Sequence, residues 1–127
     1  MKNTIFTFIV CLILTSCAEP KNEKEVYLDN FKADLEMLLD SSIQYLDKGI
    51  KLLKQDVDPA EISALIGAKL EDFRKTINAK SKEFSQNAPK MKIRVEEYDN
   101  IFIELNKITQ QIKEKHFYLV ENGVKIK

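Results

Sequence analysis

The sequence predicts an all-α fold, an antiparallel up-down-up bundle of three long helices. Two observations support this prediction. Apolar residues recur every three or four positions along most of the chain, which is the spacing of one face of an α-helix. Only three glycines and three prolines occur among the 127 residues. Because the chain has so few turn-forming positions, we expect a few long elements rather than many short strands.

The first predicted helix spans residues 23–55. Its apolar stripe begins at Leu28 and ends at Leu53, and acidic and lysine residues occupy the positions between. Gly49 lies inside this helix, where glycine lowers helix stability. Its presence there predicts that a neighbouring helix approaches closely.

The second predicted helix spans residues 59–84. Asp58 can accept a hydrogen bond from the free amides of a helix N-terminus, and Pro59 fits the first helical position because its missing N–H needs no partner there. A cation site at Asp56 and Asp58 is the alternative, but no further oxygen ligands follow at regular spacing. We expect the helix to end before Pro89, because the residue that precedes a proline disfavours helix.

The third predicted helix spans residues 90–120, and the Asn122-Gly123 pair after it is typical of a helix C-cap. Three such helices, joined by short turns, pack as an elongated rod with little room for a central cavity. A set of apolar residues lies outside the main stripe of the third helix and predicts an additional surface for a partner: Ile101, Ile103 and Phe117.

The sequence contains no recognisable catalytic constellation. His116 is the single histidine, and the chain has no glycine-rich phosphate loop, Gly-x-Ser-x-Gly or Cys-x-x-Cys motif. Basic and acidic residues number 20 each, so no net charge favours nucleic acid. We therefore expect a non-enzymatic protein with no metal, no dissociable cofactor and no nucleic-acid partner.

The first residues of the chain have the features of an export signal. Lys2 provides a positive charge, and residues 5–14 form an apolar run that only Thr7 interrupts. The run is too short for a bilayer core, which needs about 20 apolar residues. It matches instead the apolar region of a signal peptide. Leu14-Thr15-Ser16-Cys17 completes this segment.

Leu14-Thr15-Ser16-Cys17 resembles the lipobox of bacterial lipoprotein precursors, in which an aliphatic residue and two small residues precede a cysteine. The resemblance implies cleavage between Ser16 and Cys17, a diacylglycerol thioether on Cys17 and an N-acyl group on the new terminus. Two or three acyl chains anchor a protein stably in a membrane. An ordinary signal peptide with a coincidental cysteine is the alternative interpretation.

The resemblance also implies an organisation and a location. Residues 1–16 would be the signal peptide, residues 17–22 a lipidated tether, and residues 23–127 the exported helical domain. The protein would be lipid-anchored in the cell envelope. In a Gram-negative cell, Ala18 after the cysteine favours the outer membrane over the inner membrane.

A group of basic residues surrounds the predicted turn between the second and third helices: Lys80, Lys82, Lys90, Lys92 and Arg94. In an up-down-up bundle, this turn returns to the end where the first helix begins, beside the tether. We expect these residues to contact anionic lipid headgroups. For the lysines that close the second helix, a favourable interaction with the helix dipole is the alternative.

We interpret the chain as a membrane-anchored lipoprotein whose helical domain is a non-enzymatic interaction or structural module with an envelope protein partner. Two alternatives remain open. One is a protein that binds a small ligand or lipid in a gap between helices, and the other is an immunity- or inhibitor-type lipoprotein. A three-helix bundle does not by itself select among them, because one fold serves many functions.

Overall fold

A computed structural model describes residues 22–126 of the chain. Helix α1 comprises Glu23–Lys54, α2 comprises Pro59–Lys90 and α3 comprises Val95–Glu121. At 1.5 Å per residue, α1 and α2 are each about 48 Å long. The helices pack side by side, which confirms the predicted all-α bundle. The predicted signal peptide, the cleavage position and Cys17 lie outside the described residues.

Helix α1 is the central element of the bundle. Both α2 and α3 pack against α1, whereas the backbones of α2 and α3 stay more than 8 Å apart along the two helices. Exposed ion pairs join α1 to each neighbour, with Lys80 of α2 3.3 Å from Asp34 and Lys115 of α3 2.6 Å from Asp47. Such pairs contribute little to stability, but they align the two outer helices on the middle one.

Lys32 of α1 and Glu104 of α3 form a further exposed pair, with 2.6 Å between Nζ and Oε2. The hydrogen bond and positive charge of Lys32 lower the pKa of the Glu104 carboxyl group below its ordinary value. The same hydrogen bond raises the pKa of Lys32. Both shifts favour the charged forms, so the pair persists through neutral pH and is lost as the pH falls through the pKa of Glu104.

Two apolar clusters form the core. The N-proximal cluster surrounds the first half of α1 and consists of Leu28, Phe31, Leu35, Leu39, Phe84, Ala88, Ile93 and Leu105. The N-distal cluster surrounds the second half of α1 and consists of Leu46, Ile62, Ile66, Leu70, Leu119 and Val124. Burial of these side chains is the main favourable term in folding.

Phe84 is the centre of the N-proximal cluster. Its ring centroid lies 4.2 Å from that of Phe31 on α1, 5.1 Å from Tyr98 and 5.7 Å from Phe102 on α3. The contacts with α3 are edge-on, a geometry that aromatic rings favour. The long phenylalanine side chain therefore connects α2 to α3 where their backbones are too far apart to touch.

The segment after α3 folds back over the N-distal cluster. Val124 is 1% exposed, and the backbone N–H of Lys125 donates a hydrogen bond to Ser63 Oγ at 2.7 Å. Ile126 also packs against this cluster. The segment thereby joins α3 to the beginning of α2 at the end of the bundle opposite Asn22.

All three helices end in the same hydrogen-bonded motif. After α3, Gly123 has a φ of 92°, and Val124 N donates to Leu119 O at 3.0 Å while Gly123 N donates to Val120 O at 3.1 Å. These two bonds define a Schellman C-cap, so the predicted cap is confirmed. At the start of α2, Asp58 Oδ1 accepts from Ala60 N at 3.1 Å, with proline in the first turn, as predicted.

The predicted end of the second helix is wrong, because α2 continues through Pro89 to Lys90. The Schellman motif lies after the proline, where Ile93 N donates to Ala88 O at 2.9 Å and Lys92 adopts a φ of 58°. Extension of α2 buries Ala88 and Ile93, and this burial offsets the unfavourable proline position. The third helix consequently begins at Val95 rather than at residue 90.

Gly49 lies on the face of α1 that packs against α2 and α3 in the N-distal cluster. A Cβ atom at this position would be 2.7 Å from Ile66 Cδ1 and 3.3 Å from Leu119 Cδ2. The first distance is shorter than a normal carbon contact. The close approach predicted from the sequence is therefore confirmed, and a larger residue here would require the Ile66 side chain to move.

We expect Gly49→Ala to lack the stabilisation that alanine gives elsewhere in a helix. At Gly67 a Cβ atom would meet only Lys125 O at 3.8 Å, so Gly67→Ala should raise the free energy of unfolding by about 1 kcal/mol. At Gly49, overpacking costs about 1–3 kcal/mol and should cancel or reverse that gain. Urea unfolding of both variants measures the difference, and equal stabilisation would contradict the packing described.

Candidate functional site

The N-proximal end of the bundle brings together the start of α1 and the turn between α2 and α3. Asn22, Lys24, Lys90, Met91 and Glu97 line one shallow depression there. The turn therefore lies beside the start of the first helix, as the up-down-up arrangement predicts. Lys21, which the sequence places next to this surface, lies outside the described residues.

The five basic residues predicted for this region differ in their surroundings. Lys80 is half-buried and paired with Asp34 of α1, so it is part of the helix interface. The Arg94 side chain lies 3.8 Å from Glu97, which also accepts from the Arg94 backbone N–H at 2.7 Å. Lys80 therefore has a structural role between α1 and α2, and Arg94 has one at the start of α3.

Lys82, Lys90 and Lys92 are exposed and make no ion pair with any residue in the range 22–126. Acidic residues begin both neighbouring helices at this end, and Glu97 lies 4.0 Å from Lys24. The end as a whole is thus mixed in charge. Lys90, which ends α2 and is also favoured there by the helix dipole, and Lys92, in the turn that follows, are the two of these lysines nearest the start of α3.

Two of the three residues predicted to form a partner surface on α3 are exposed. Ile103 is 49% exposed and Phe117 is 62% exposed. Ile101, which the stripe placed outside the core, is half-buried and packs against the N-proximal cluster. It is removed from the candidate surface because its exposure is limited by contacts within the bundle.

A cleft between α2 and α3, above the middle of α1, is a site that the sequence did not predict. Its volume is about 260 Å³. Apolar side chains form its floor and much of its walls, and polar side chains lie among them. The lining residues are Leu39, Ser42, Leu46, Leu70, Arg74, Ile77, Asn78, Thr109, Ile112, His116 and Ile126.

The cleft exists because small and polar residues occupy core positions between the two clusters. Ser42 follows Leu39 by three residues and precedes Leu46 by four, a register position at which a large apolar residue would fill the bundle. Ser42 is instead 5% exposed, and its hydroxyl donates to Leu38 O at 2.9 Å. This serine in the core register is the sequence signal that could have predicted the cleft.

His116 lies on the α3 wall of this cleft and is half-buried. In residues 22–126, no cluster of three or more histidine, cysteine, aspartate or glutamate residues is arranged to hold a metal ion. None of the three helices carries an apolar stretch long enough to cross a bilayer.

No protein-family model, curated protein or solved structure matches this chain.

Proposed function

We propose that this protein is a bacterial lipoprotein, acylated at Cys17, whose helical domain is a non-enzymatic interaction module at the membrane surface. The lipobox-like Leu14–Cys17 segment after a short apolar run supports the anchor. Only five peptide units separate Cys17 from Asn22, so a fully extended tether reaches at most about 18 Å. The start of α1 would consequently be held close to the lipid headgroups.

The observation that best supports this function is the position of the turn between α2 and α3. Lys90, which ends α2 at this turn, and Lys24 of α1 line the same surface depression, together with Glu23 and Glu97. An anchor attached before α1 would therefore place the unpaired cations Lys90 and Lys92 at the membrane. A surface-bound lysine gains about 1 kcal/mol from anionic lipid, which would strengthen the anchor and orient the rod.

We expect the double variant Lys90→Gln, Lys92→Gln to bind vesicles of phosphatidylserine and phosphatidylcholine up to about thirtyfold more weakly at low salt. Sedimentation of a non-acylated form with the vesicles measures the contribution of these lysines without the lipid anchor. Lys51→Gln, Lys54→Gln is the matched control, because both lysines lie in the last turn of α1 at the opposite end. Equal binding by the two variants would contradict a membrane-facing turn.

The face of α3 that carries Ile103 and Phe117 is the proposed surface for an envelope protein partner. At 100° per residue, the two positions differ by only about 40° around the helix and lie about 21 Å apart along it. Exposed aromatic residues are favourable anchors in protein interfaces. The two side chains therefore provide two separated apolar contacts for one elongated partner.

We expect Ile103→Ser, Phe117→Ser to lose the partner that wild type retains in cross-linked cell envelopes. The control is Met37→Ser, Leu65→Ser, which removes two comparably exposed apolar side chains, 64% and 49% exposed, from α1 and α2. Quantitative mass spectrometry of the captured proteins gives the comparison. An unchanged partner set for the α3 variant would refute this surface, and loss in both variants would show that the effect is not specific to α3.

A further inference from the structure

The cleft between α2 and α3 is separate from the N-proximal end and from the exposed face of α3. Its apolar walls belong to both clusters, with Leu39 on one side and Leu46 and Leu70 on the other. The cleft is open along one side, so a ligand could enter without separation of the helices. Ligand sites are commonly concave and apolar with a few convergent polar groups.

The volume of the cleft limits what it can hold. The volume is about 260 Å³. A cavity of about 150 Å³ accommodates benzene, so by proportion the cleft accommodates roughly ten carbon atoms. The size therefore suits a single hydrocarbon chain of medium length.

The polar groups around the cleft favour an anion at one end of that chain. Arg74 lines the α2 wall, is exposed, and makes no ion pair with any described residue. His116 and Asn78 supply further nitrogen groups, and no carboxylate is among the lining residues. Since acidic and basic residues are equal in number over the chain, this absence of acids is a local feature. A guanidinium group binds a carboxylate through two parallel hydrogen bonds.

We propose that the cleft binds a medium-chain fatty acid, with the hydrocarbon chain over Ser42 between the two clusters and the carboxylate at Arg74. Ser42 leaves the space in which the chain lies, and Arg74 provides the charge that distinguishes an acid from a neutral lipid. This site does not depend on acylation of Cys17 or on the surface of α3, so it can be tested apart from the function proposed above.

The test is photolabelling of the full-length chain, as produced by the bacterial cell, in phosphatidylcholine vesicles with decanoate that carries a diazirine near its methyl end. Mass spectrometry locates the labelled residues. We expect labels on cleft residues, among them Leu46, Leu70 and Ile112. Arg74→Gln should lower cleft labelling about fivefold. Arg94→Gln, the same substitution at the other arginine of the chain, should leave it unchanged.

Ser42→Leu supplies the second variant. Its larger side chain fills the cleft from the floor with an apolar group in a helix that favours leucine, so labelling should be lost while the thermal midpoint rises or stays constant. That combination separates a filled site from a misfolded protein. The proposal is overturned if wild type is labelled only around Lys90 and Lys92, or if Ser42→Leu folds and is labelled as wild type. It is also overturned if Arg74→Gln and Arg94→Gln behave alike.

Discussion

Leu119→Ala is expected to lower the free energy of unfolding by about 3–5 kcal/mol. Leu119 is fully buried and belongs to the N-distal cluster with Leu46, Ile62 and Ile66. Its removal leaves a cavity at the point where α1, α2 and α3 meet, because a close-packed core relaxes only partly around a deleted side chain. A domain of this size has about 5–15 kcal/mol of total stability, so the loss is a large fraction.

Equilibrium unfolding in urea measures this loss, with Leu65→Ala as the control. Leu65 is 49% exposed on α2, so the same substitution there should change stability by about 0.5 kcal/mol or less. If both variants lose the same free energy, Leu119 is not the buried contact that joins the three helices.

Phe84→Ala is expected to lower the free energy of unfolding by about 3–5 kcal/mol, for a different reason. The phenylalanine ring fills the N-proximal cluster and contacts Phe31, Tyr98 and Phe102. Each such aromatic pair adds about 0.5–1.5 kcal/mol to the stabilisation that burial of the ring provides. Because Phe84 connects α2 to α3, the variant should also loosen these two helices at the N-proximal end.

Thermal unfolding and amide hydrogen exchange together test this expectation. Phe117→Ala is the matched control, since Phe117 is 62% exposed on α3 and should be nearly neutral. In Phe84→Ala, exchange should accelerate first in the last turns of α2 and the first turns of α3. Uniform acceleration across all three helices would show that the ring does not act locally as described.

The three helices could be predicted from the spacing of their apolar residues, and two helix caps could be predicted from local chemistry. Asp58 and Pro59 start α2, and Gly123 follows the end of α3, each through hydrogen bonds of adjacent residues. The end of α2 could not be predicted in this way. At Pro89 the local preference opposes helix, and burial of Ala88 and Ile93, a tertiary effect, decides the outcome.

The candidate sites were predictable to different degrees. The meeting of the turn after α2 with the start of α1 follows from topology alone, so it was available from the order of the helices. For the cleft, Ser42 in the core register is the only sequence signal, and the separation of α2 and α3 that opens the cleft is a tertiary feature. Ile101 illustrates the same limit, since it lies outside the main apolar stripe and yet packs against the N-proximal cluster.

The intact mass of the protein purified from bacterial membranes is the most direct test of membrane anchoring through Cys17. We expect wild type to lack residues 1–16 and to carry added diacylglycerol and acyl mass, and we expect Cys17→Ala to remain unprocessed. A wild-type protein that keeps its leader, or one recovered without lipid, would contradict the anchor. The membrane-facing function of Lys90 and Lys92 would then fail with it.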